Sequence, residues 1–269
     1  MYLQNKVVIL TGASSGIGKA LAFELAKKGA KLVLVSRNKE KLDQIASKLN
    51  EIYSVEVLVL SKDLTLKEDI ERTVEETVSY FNQIDALINC SGVGSFKRAV
   101  DFTYEEIDYI FKLNTFGMIY LAQLVANEMI IKSIPGHILF VASVASKIAT
   151  PHASIYSASK FAITGYANSL RLELKRFGIK VTTINPGPTQ TDFFNHDKEA
   201  QAYYQQVKRF SLKPEKLAKE IVHHMQVNRI KREIIRPRFF ALVDILYQLF
   251  PRTGDFLAGD VFNLKENES

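Results

Sequence analysis

Short, β-branched, apolar segments alternate with longer amphipathic segments along almost the whole chain. Residues 7–10, 31–35 and 55–60 are apolar at most positions, and each is followed by a segment with helical spacing, beginning with residues 16–28 and 38–50. Continuous apolar strands are typical of a parallel sheet that helices cover on both faces, whereas half-exposed strands alternate. The chain is therefore predicted to have an α/β fold, with a doubly wound, mostly parallel seven-stranded sheet and helices on both faces.

The same alternation continues through the second half of the chain without a linker, a repeat or a low-complexity segment. Residues 186–210 lack a clear period and are predicted to form a loop with short helices. We expect a single domain over residues 1–236, followed by a helical extension over residues 237–269 that packs on this domain or on a dimer partner. Further strands are predicted at residues 85–89, 136–142, 180–184 and 233–235, and further helices at residues 66–81, 104–111, 115–132, 154–177 and 214–226.

The first strand leads into a glycine-rich segment at the start of the first helix. This segment reads Thr11-Gly12-Ala13-Ser14-Ser15-Gly16-Ile17-Gly18. Glycines at such a turn let the backbone approach a pyrophosphate, and the N-terminus of the helix favours its negative charge. Because the segment joins the strand and helix of a βαβ unit, it predicts dinucleotide binding and a Rossmann-type fold rather than an ordinary tight turn.

The end of the second strand bears on the choice of dinucleotide. An NAD site usually places Asp or Glu about 20 residues beyond the glycines, where the acid binds the ribose 2′-hydroxyl. This chain has Ser36 and Arg37 at that place, with Lys39 and Lys41 close behind. A guanidinium can bind a 2′-phosphate through two hydrogen bonds, whereas a carboxylate would repel it. These residues favour NADP(H) as the cofactor; the alternative is that Arg37 is only a surface residue of the loop.

A tyrosine and a lysine share one face of a predicted helix. Tyr156 and Lys160 are four residues apart, and Ser143 precedes Tyr156 by thirteen residues, at the end of the fifth predicted strand. Tyrosine has an ordinary pKa near 10, and a neighbouring ammonium lowers the pKa by stabilising the phenolate. Ser143 could hydrogen-bond a substrate oxygen beside this pair. Most Tyr-x-x-x-Lys pairs are solvated helix faces, but this one follows a cofactor loop at the carboxyl end of a strand, where α/β sheets bind ligands.

Together these residues resemble the compact, single-domain short-chain dehydrogenases/reductases. The resemblance covers roughly residues 6–195 and also includes Asn114, which matches the asparagine of the family's active site. It implies that the catalytic residues are Asn114, Ser143, Tyr156 and Lys160. The cofactor-binding residues that it implies are Gly12, Ser14, Ser15, Gly16, Ile17, Gly18, Ser36, Arg37, Asp63, Leu64, Asn89, Gly92, Tyr156, Lys160, Pro186, Gly187, Thr189 and Thr191.

The resemblance also implies a role for each catalytic residue. Tyr156 would donate a proton to a carbonyl oxygen that Ser143 holds, while NADPH delivers hydride to the carbon. Lys160 would lower the pKa of Tyr156 and bind the nicotinamide ribose, and Asn114 would hold a water that links Lys160 to solvent. The chain departs from the family pattern in reading Asn89-Cys90-Ser91-Gly92 where Asn-Asn-Ala-Gly is common. We expect this change to alter packing beside the cofactor without removing activity.

The substrate-binding residues are expected to be Ser143, Tyr156, Phe96 and Phe193. Because most candidate side chains above the sheet are apolar, we expect a lipophilic ketone or aldehyde, such as a steroid-, retinoid-, acyl- or xenobiotic-like compound. Two alternatives stay open at this point. One is a non-catalytic, cofactor-sensing or scaffolding protein, which the intact catalytic residues disfavour. The other is a nucleotide-sugar epimerase, a class that is usually longer and has different glycine spacing.

Composition limits the compartment and the partners. Cys90 is the only cysteine, so no disulfide can form within the chain, and we expect a cytoplasmic location. No apolar run approaches the roughly 18 residues that span a bilayer. The net charge of +6 does not single out DNA, lipid or a polyanionic cofactor. We expect no nucleic acid partner and no metal. A homodimer or homotetramer is expected through residues 115–132 and 154–177, as in the proteins that this chain resembles.

The C-terminal extension departs furthest from the compact family pattern. Apolar residues recur at helical spacing in this extension, and Asp244 interrupts the run. They are Phe239, Leu242, Val243, Leu246, Leu249 and Phe250. A second apolar segment, residues 256–262, follows, and basic residues that include Arg229 precede the helix. The interpretation that we favour is a helix whose apolar face packs on its own fold or across a dimer. The alternative is peripheral contact with anionic lipid through residues 237–262.

Overall fold

A computed structural model describes residues 2–195, 198–227, 231–256 and 258–259. Within them, seven strands form one sheet in the order β3-β2-β1-β4-β5-β6-β7. All six pairings are parallel, so the predicted fold class is confirmed. The strands are β1 (Val7–Thr11), β2 (Lys31–Ser36), β3 (Val57–Ser61), β4 (Ala86–Asn89), β5 (His137–Val141), β6 (Lys180–Pro186) and β7 (Glu233–Arg236).

Helices connect successive strands and cover both faces of the sheet. Helices α1, α2 and α8 pack on one face and α3, α5 and α6 on the other, each over its own apolar core. The helices are α1 (Gly16–Ala26), α2 (Lys39–Tyr53), α3 (Lys67–Phe81), α4 (Tyr104–Phe111), α5 (Gly117–Ile131), α6 (Ser154–Leu174), α7 (Lys198–Val207), α8 (Pro214–Gln226), α9 (Phe239–Leu249) and α10 (Pro251–Phe256).

The strand order places a crevice at the centre of the sheet. The chain moves outward from β1 to β3 and then returns to place β4 on the other side of β1. Where the direction of winding changes, the loops after β1 and β4 separate at their carboxyl ends, and α/β proteins bind ligands in that crevice. The loops after β5 and β6 end on the same edge because all the strands are parallel. The predicted site residues on these four loops therefore lie on one edge of the sheet.

Two segments differ in detail from the prediction. A five-residue π-helix, Lys112–Phe116, joins α4 to α5, and the segment after β6 contains a full helix, α7, beyond a 3₁₀ turn at Asp192–Phe194. No helix in the described part of the chain is both long and apolar enough to cross a membrane. Part of the expected basic cluster and apolar extension lies outside the described residues, namely Arg229, residue 257 and residues 260–269.

Candidate active site

The glycine-rich loop is shaped by close backbone contacts. Gly12 has a φ of +64°, and a Cβ atom there would lie 2.9 Å from the carbonyl oxygen of Cys90. A Cβ atom on Gly18 would lie 2.1 Å from the carbonyl oxygen of Gly12. Helix α1 can therefore start directly against the loop only because these positions lack side chains.

The N-terminus of α1 is available to an anion. Ser15 is the N-cap residue, yet its side chain makes no capping hydrogen bond, and the first turn contains no acidic residue. The backbone N–H groups of a first helical turn lack partners within the helix and carry partial positive charge. Ser14, Ser15 and Ile17 thus lie where a phosphate would meet the start of α1.

Thr11 ties the glycine-rich loop to the loop after β4. The buried Oγ1 of Thr11 accepts hydrogen bonds from the backbone N–H groups of Cys90 (2.9 Å) and Ser91 (3.0 Å). Sequence reasoning placed Thr11 in the loop motif but not among the site residues, because a threonine at a strand end has no local signal of such a contact. Cys90 itself is half-buried, and burial raises the pKa of its thiol to about 12, so the thiol stays protonated.

The residues at the ends of β2 and β3 lie beside each other. Nη1 of Arg37 is 3.9 Å from Oδ2 of Asp63, and the Arg37 side chain is 60% exposed. Such an exposed pair is weak, so the guanidinium can exchange Asp63 for another anion. The Oγ atom of Ser36 is buried and has no hydrogen-bond partner among the described residues. Leu64 is buried directly after Asp63.

Tyr156 and Lys160 lie together on the buried face of α6. Tyr156 is 7% exposed and Lys160 4%, and Nζ of Lys160 is 5.9 Å from the centre of the Tyr156 ring. Nζ also donates a hydrogen bond to the carbonyl oxygen of Val141, at 3.1 Å. Burial lowers the pKa of Lys160 to about 8, while the nearby Cys90 opposes that shift. Both side chains therefore point into the protein. The spacing alone would instead favour a pair exposed to solvent.

The π-helix positions Asn114 next to the lysine. The Nδ2 group of Asn114 donates to the carbonyl oxygen of Val93 (2.8 Å) and to Oγ of Ser159 (3.1 Å), while Oδ1 accepts from the N–H of Val93 (2.9 Å). A Cβ atom at Gly92 would lie 3.2 Å from this Oδ1 and 3.3 Å from Nζ of Lys160. Both amide hydrogens of Asn114 are thus engaged, so only its oxygen atoms could hold a water.

Ser143 lies two residues beyond β5, on the turn against which α6 packs. Its Oγ accepts a hydrogen bond from the N–H of Ala145 at 3.1 Å. Because the backbone donates to Oγ, the hydroxyl hydrogen of Ser143 can be directed elsewhere, for example to a substrate oxygen. The carbonyl oxygen of Ser143 accepts from Oγ of Ser146 at 2.7 Å, which fixes the turn.

The loop after β6 folds back over the glycine-rich loop. The N–H of Gly187, which follows Pro186, donates to the carbonyl oxygen of Arg236, and Oγ1 of Thr189 donates to the carbonyl oxygen of Gly187 at 3.0 Å. A Cβ atom on Gly16 would lie 2.9 Å from the methyl group of Thr191.

On the other side of the crevice, Nδ2 of Asn89 donates to the carbonyl oxygen of Met118, at 3.2 Å.

An aromatic cluster surrounds the Tyr156 ring. The ring centre of Tyr156 is 5.7 Å from that of Phe96 and 5.8 Å from that of Phe193. Phe194 packs on Phe193 at 5.2 Å and stacks on Tyr204 at 5.0 Å. Phe96 and Phe193, which the sequence analysis proposes as substrate contacts, therefore both lie against the Tyr156 ring. Phe194 and Tyr204 extend the cluster through α7, which the sequence pattern did not resolve as one helix.

Comparisons with known proteins show which family the chain belongs to. A family model described as short chain dehydrogenase matches residues 6–202. An uncharacterized oxidoreductase of Staphylococcus aureus is 34% identical over 234 residues, which make up 85% of this chain and 96% of the relative.

Solved structures are similar over nearly the same length. A short-chain dehydrogenase of Sphingobium yanoikuyae in complex with NADPH is 30% identical, with a TM-score of 0.78 over 91% of this chain and 95% of that chain. A short chain dehydrogenase/reductase of Burkholderia phymatum in complex with NAD has a TM-score of 0.86 over 94% of this chain and 96% of that chain. Its identity of 21% makes the latter a likeness of fold alone.

The fold, the site and these relatives define the class of protein as an oxidoreductase. The chain belongs to the short-chain dehydrogenase family, since the family model matches most of its length. The resemblance inferred from its motifs is thereby confirmed.

Proposed function

We propose that this protein is an NADP(H)-dependent oxidoreductase that transfers hydride between nicotinamide and the carbonyl or alcohol group of a lipophilic compound. The observation that carries the proposal is the buried Tyr156–Lys160 pair. Tyr156 lies inside an aromatic cluster, and Lys160 lies beside Gly92, in the loop after β4 that contacts the glycine-rich loop. A proton donor, a cation and apolar side chains at the switch point of a doubly wound sheet are components that suit carbonyl reduction.

The chain's own residues fit a dinucleotide with a 2′-phosphate. The backbone at Gly12, which lacks a side chain, and the uncapped N-terminus of α1 suit a pyrophosphate. The Oγ of Ser36, which has no hydrogen-bond partner within the described part of the chain, precedes Arg37, so both residues could contact an adenosine 2′-phosphate. The adenine would lie beside Asp63 and Leu64. The middle of the dinucleotide would pass Asn89 and Gly92 in the crevice. The nicotinamide would lie beside the loop after β6, at Pro186, Gly187, Thr189 and Thr191. When bound, the cofactor supplies or accepts the hydride.

The proton chemistry belongs to the protein. Tyr156 donates its phenolic proton to the substrate oxygen during reduction and takes a proton from the alcohol during oxidation. Ser143, whose Oγ accepts from Ala145, directs its own hydrogen to the same oxygen. Lys160 stabilises the phenolate that remains, and its lowered pKa makes it able to pass on a proton near neutral pH. Asn114 holds the loop at Val93 in place and offers oxygen atoms to a water beside Lys160.

The substrate class follows from the cluster of Phe96, Phe193, Phe194 and Tyr204. Among ketones of increasing apolar size, kcat/KM is expected to rise by up to about fourfold for each methylene buried, or ~0.8 kcal/mol. Steady-state oxidation of NADPH measures this rise. Phe193→Ala should flatten this rise. Phe177→Ala, in the 3₁₀ turn after α6, should leave it unchanged. A preference for sugars or charged acids would refute the proposed substrate class.

A homodimer or homotetramer is part of the proposal. One face of α6 exposes small and apolar residues at helical spacing: Ala158, Phe161, Gly165, Ser169 and Leu172. A Cβ atom built on Gly165 would have no described atom within 4 Å beyond its own helix. A stripe of small and apolar residues lets two helices approach closely. Light scattering should give a multiple of 30.4 kDa.

A bulky charge in the stripe should separate the subunits. Gly165→Arg is expected to lower the mass measured by light scattering toward that of one chain. Ser47→Arg, an exposed position of α2 on the opposite face of the sheet, is the matched control and should leave the mass unchanged. A wild-type mass of one chain at micromolar concentration would contradict the proposed assembly.

A further inference from the structure

Helix α9 packs on the fold through a side that carries one acid, Asp244, among apolar and aromatic residues. Asp244 is buried, with Oδ2 3.8 Å from Nζ of Lys147 and Oδ1 accepting from Nε2 of Gln248 at 2.7 Å. Lys147 also pairs with Glu233 of β7, at 2.8 Å. Since breaking a buried ion pair is costly, these contacts fix the rotation of the helix about its axis. The sequence favoured packing of the apolar face on the fold or across a dimer, and the exposure of this face rules out the first of these within the single chain.

The apolar face of α9 is therefore directed outward. Leu249 is 65% exposed and Leu242 60%, and α10 continues the surface with Phe256. Soluble chains rarely leave so many large apolar side chains together on one surface unless the surface binds something. We call this surface the α9 face; its exposed residues are Phe239, Leu242, Val243, Ile245, Leu246, Leu249, Phe250 and Phe256.

Basic residues lie next to the α9 face. Arg238 precedes the helix and Arg252 follows it, and both are exposed. Arg238 lines one shallow cleft together with Lys213 and Lys216, and a second cleft together with Lys231. We call these five residues the basic rim.

Acidic groups offset the basic rim only in part. Glu220 is neutralised by Arg236, and Glu233 and Asp244 share the single charge of Lys147. Asp255 accepts a hydrogen bond from the neutral Tyr247 hydroxyl and keeps its charge. Glu215, an exposed acid of α8, lies between Lys213 and Lys216 in the sequence and is outnumbered by them. The rim therefore presents net positive charge.

We propose that the α9 face and its basic rim bind the surface of an anionic lipid bilayer. An apolar helix face with cationic flanks buries its side chains at the boundary between headgroups and acyl chains, and anionic headgroups neutralise the flanks. A second copy of the chain fits less well, because a two-fold interface through this face would bring two basic rims together.

The position of α9 connects this surface to the site. Phe240, on the inner side of the helix, packs over Gly187. A Cβ atom built on Gly187 would lie 3.2 Å from the Phe240 ring. Binding through the α9 face thus brings the carboxyl edge of the sheet to the lipid surface, where an apolar substrate concentrates. This last step rests on the proposed function, whereas lipid binding itself does not.

The test is co-sedimentation of the full chain with two kinds of vesicle. The protein is expected to pellet with vesicles of phosphatidylcholine mixed with phosphatidylglycerol, to pellet much less with pure phosphatidylcholine, and to be released in part by high salt. Leu249→Asp should weaken binding at least about tenfold, because it removes a side chain that would otherwise be buried in lipid. Arg238→Glu combined with Arg252→Glu should abolish the preference for the anionic vesicles.

Ile52→Glu is the matched control, because Ile52 is an equally exposed apolar residue on α2, away from the α9 face. It should bind vesicles like the wild type. Thermal unfolding of each variant checks that the fold is intact, and the vesicle readout is independent of enzymatic activity. Two outcomes would overturn the proposal: a wild-type protein that stays in the supernatant with both vesicles, or a Leu249→Asp variant that binds vesicles normally. If neither vesicle binds and Leu249→Asp lowers the molecular mass, the α9 face is an interface between copies instead.

Discussion

Tyr156→Phe is expected to reduce turnover by roughly 10²- to 10⁴-fold, the range for loss of a general acid, while NADPH binding stays nearly unchanged. The substitution removes one hydroxyl and leaves the ring in its contacts with Phe96 and Phe193. The loss should therefore appear in kcat, measured as NADPH oxidation at saturating substrate, with NADPH binding followed separately by fluorescence.

Tyr166→Phe is the matched control for this experiment. Tyr166 lies on the same helix, with its hydroxyl donating to the carbonyl oxygen of Ile119 rather than facing the crevice. Its removal should leave turnover close to that of the wild type. A Tyr156→Phe variant that keeps more than half of wild-type turnover would show that another group supplies the proton. Lys160→Ala should weaken both turnover and NADPH binding, because Lys160 is proposed to serve both.

Arg37→Asp is expected to erase or reverse the choice of cofactor. The wild type should bind NADPH at least about tenfold more tightly than NADH, a difference of ~1.4 kcal/mol. Among the described residues, the contact given for the exposed Arg37 side chain is a weak one with Asp63, so a 2′-phosphate can replace that carboxylate as its partner. An aspartate at this place would repel the phosphate and accept a hydrogen bond from a ribose hydroxyl. Titration of each cofactor against intrinsic or cofactor fluorescence gives the two dissociation constants.

A charge control separates this local effect from a general change of surface potential. Lys48→Asp makes the same change of charge on an exposed position of α2, away from the crevice. It should shift the affinity for NADPH only slightly. Equal affinity of the wild-type protein for NADPH and NADH would remove the basis for assigning Arg37 to the 2′-phosphate.

The doubly wound parallel sheet and most of its elements could be predicted from the sequence, whereas the order of its strands was not. Buried parallel strands must be apolar on both faces, and the glycine-rich segment marks a turn where a helix closely approaches a strand. The inward direction of Tyr156 and Lys160 could not be derived from their spacing. It depends on the packing of α6 against the sheet and on the carbonyl oxygen of Val141, which accepts from Lys160.

Contacts between distant parts of the chain set the features that the sequence left open. The π-helix at Asn114 joins two helices that the sequence predicted as separate, at residues 104–111 and 115–132, and it directs the amide toward Val93. The orientation of α9 depends on the pairing of Asp244 with Lys147, residues far apart in the sequence. Amphipathic spacing alone could not decide whether the apolar face packs on the fold or across a dimer, because it carries no information about a buried partner for the single acid.

Transfer of hydride itself tests the central claim most directly. The protein can be incubated with NADPH carrying deuterium at the transferable position, together with a panel of lipophilic ketones and aldehydes, and the products analysed by mass spectrometry. We predict alcohols that carry one deuterium at the former carbonyl carbon with wild-type protein, and almost none with Tyr156→Phe. Tight NADPH binding without labelled alcohol from any compound of the panel would contradict the account and favour a cofactor-sensing or scaffolding protein instead.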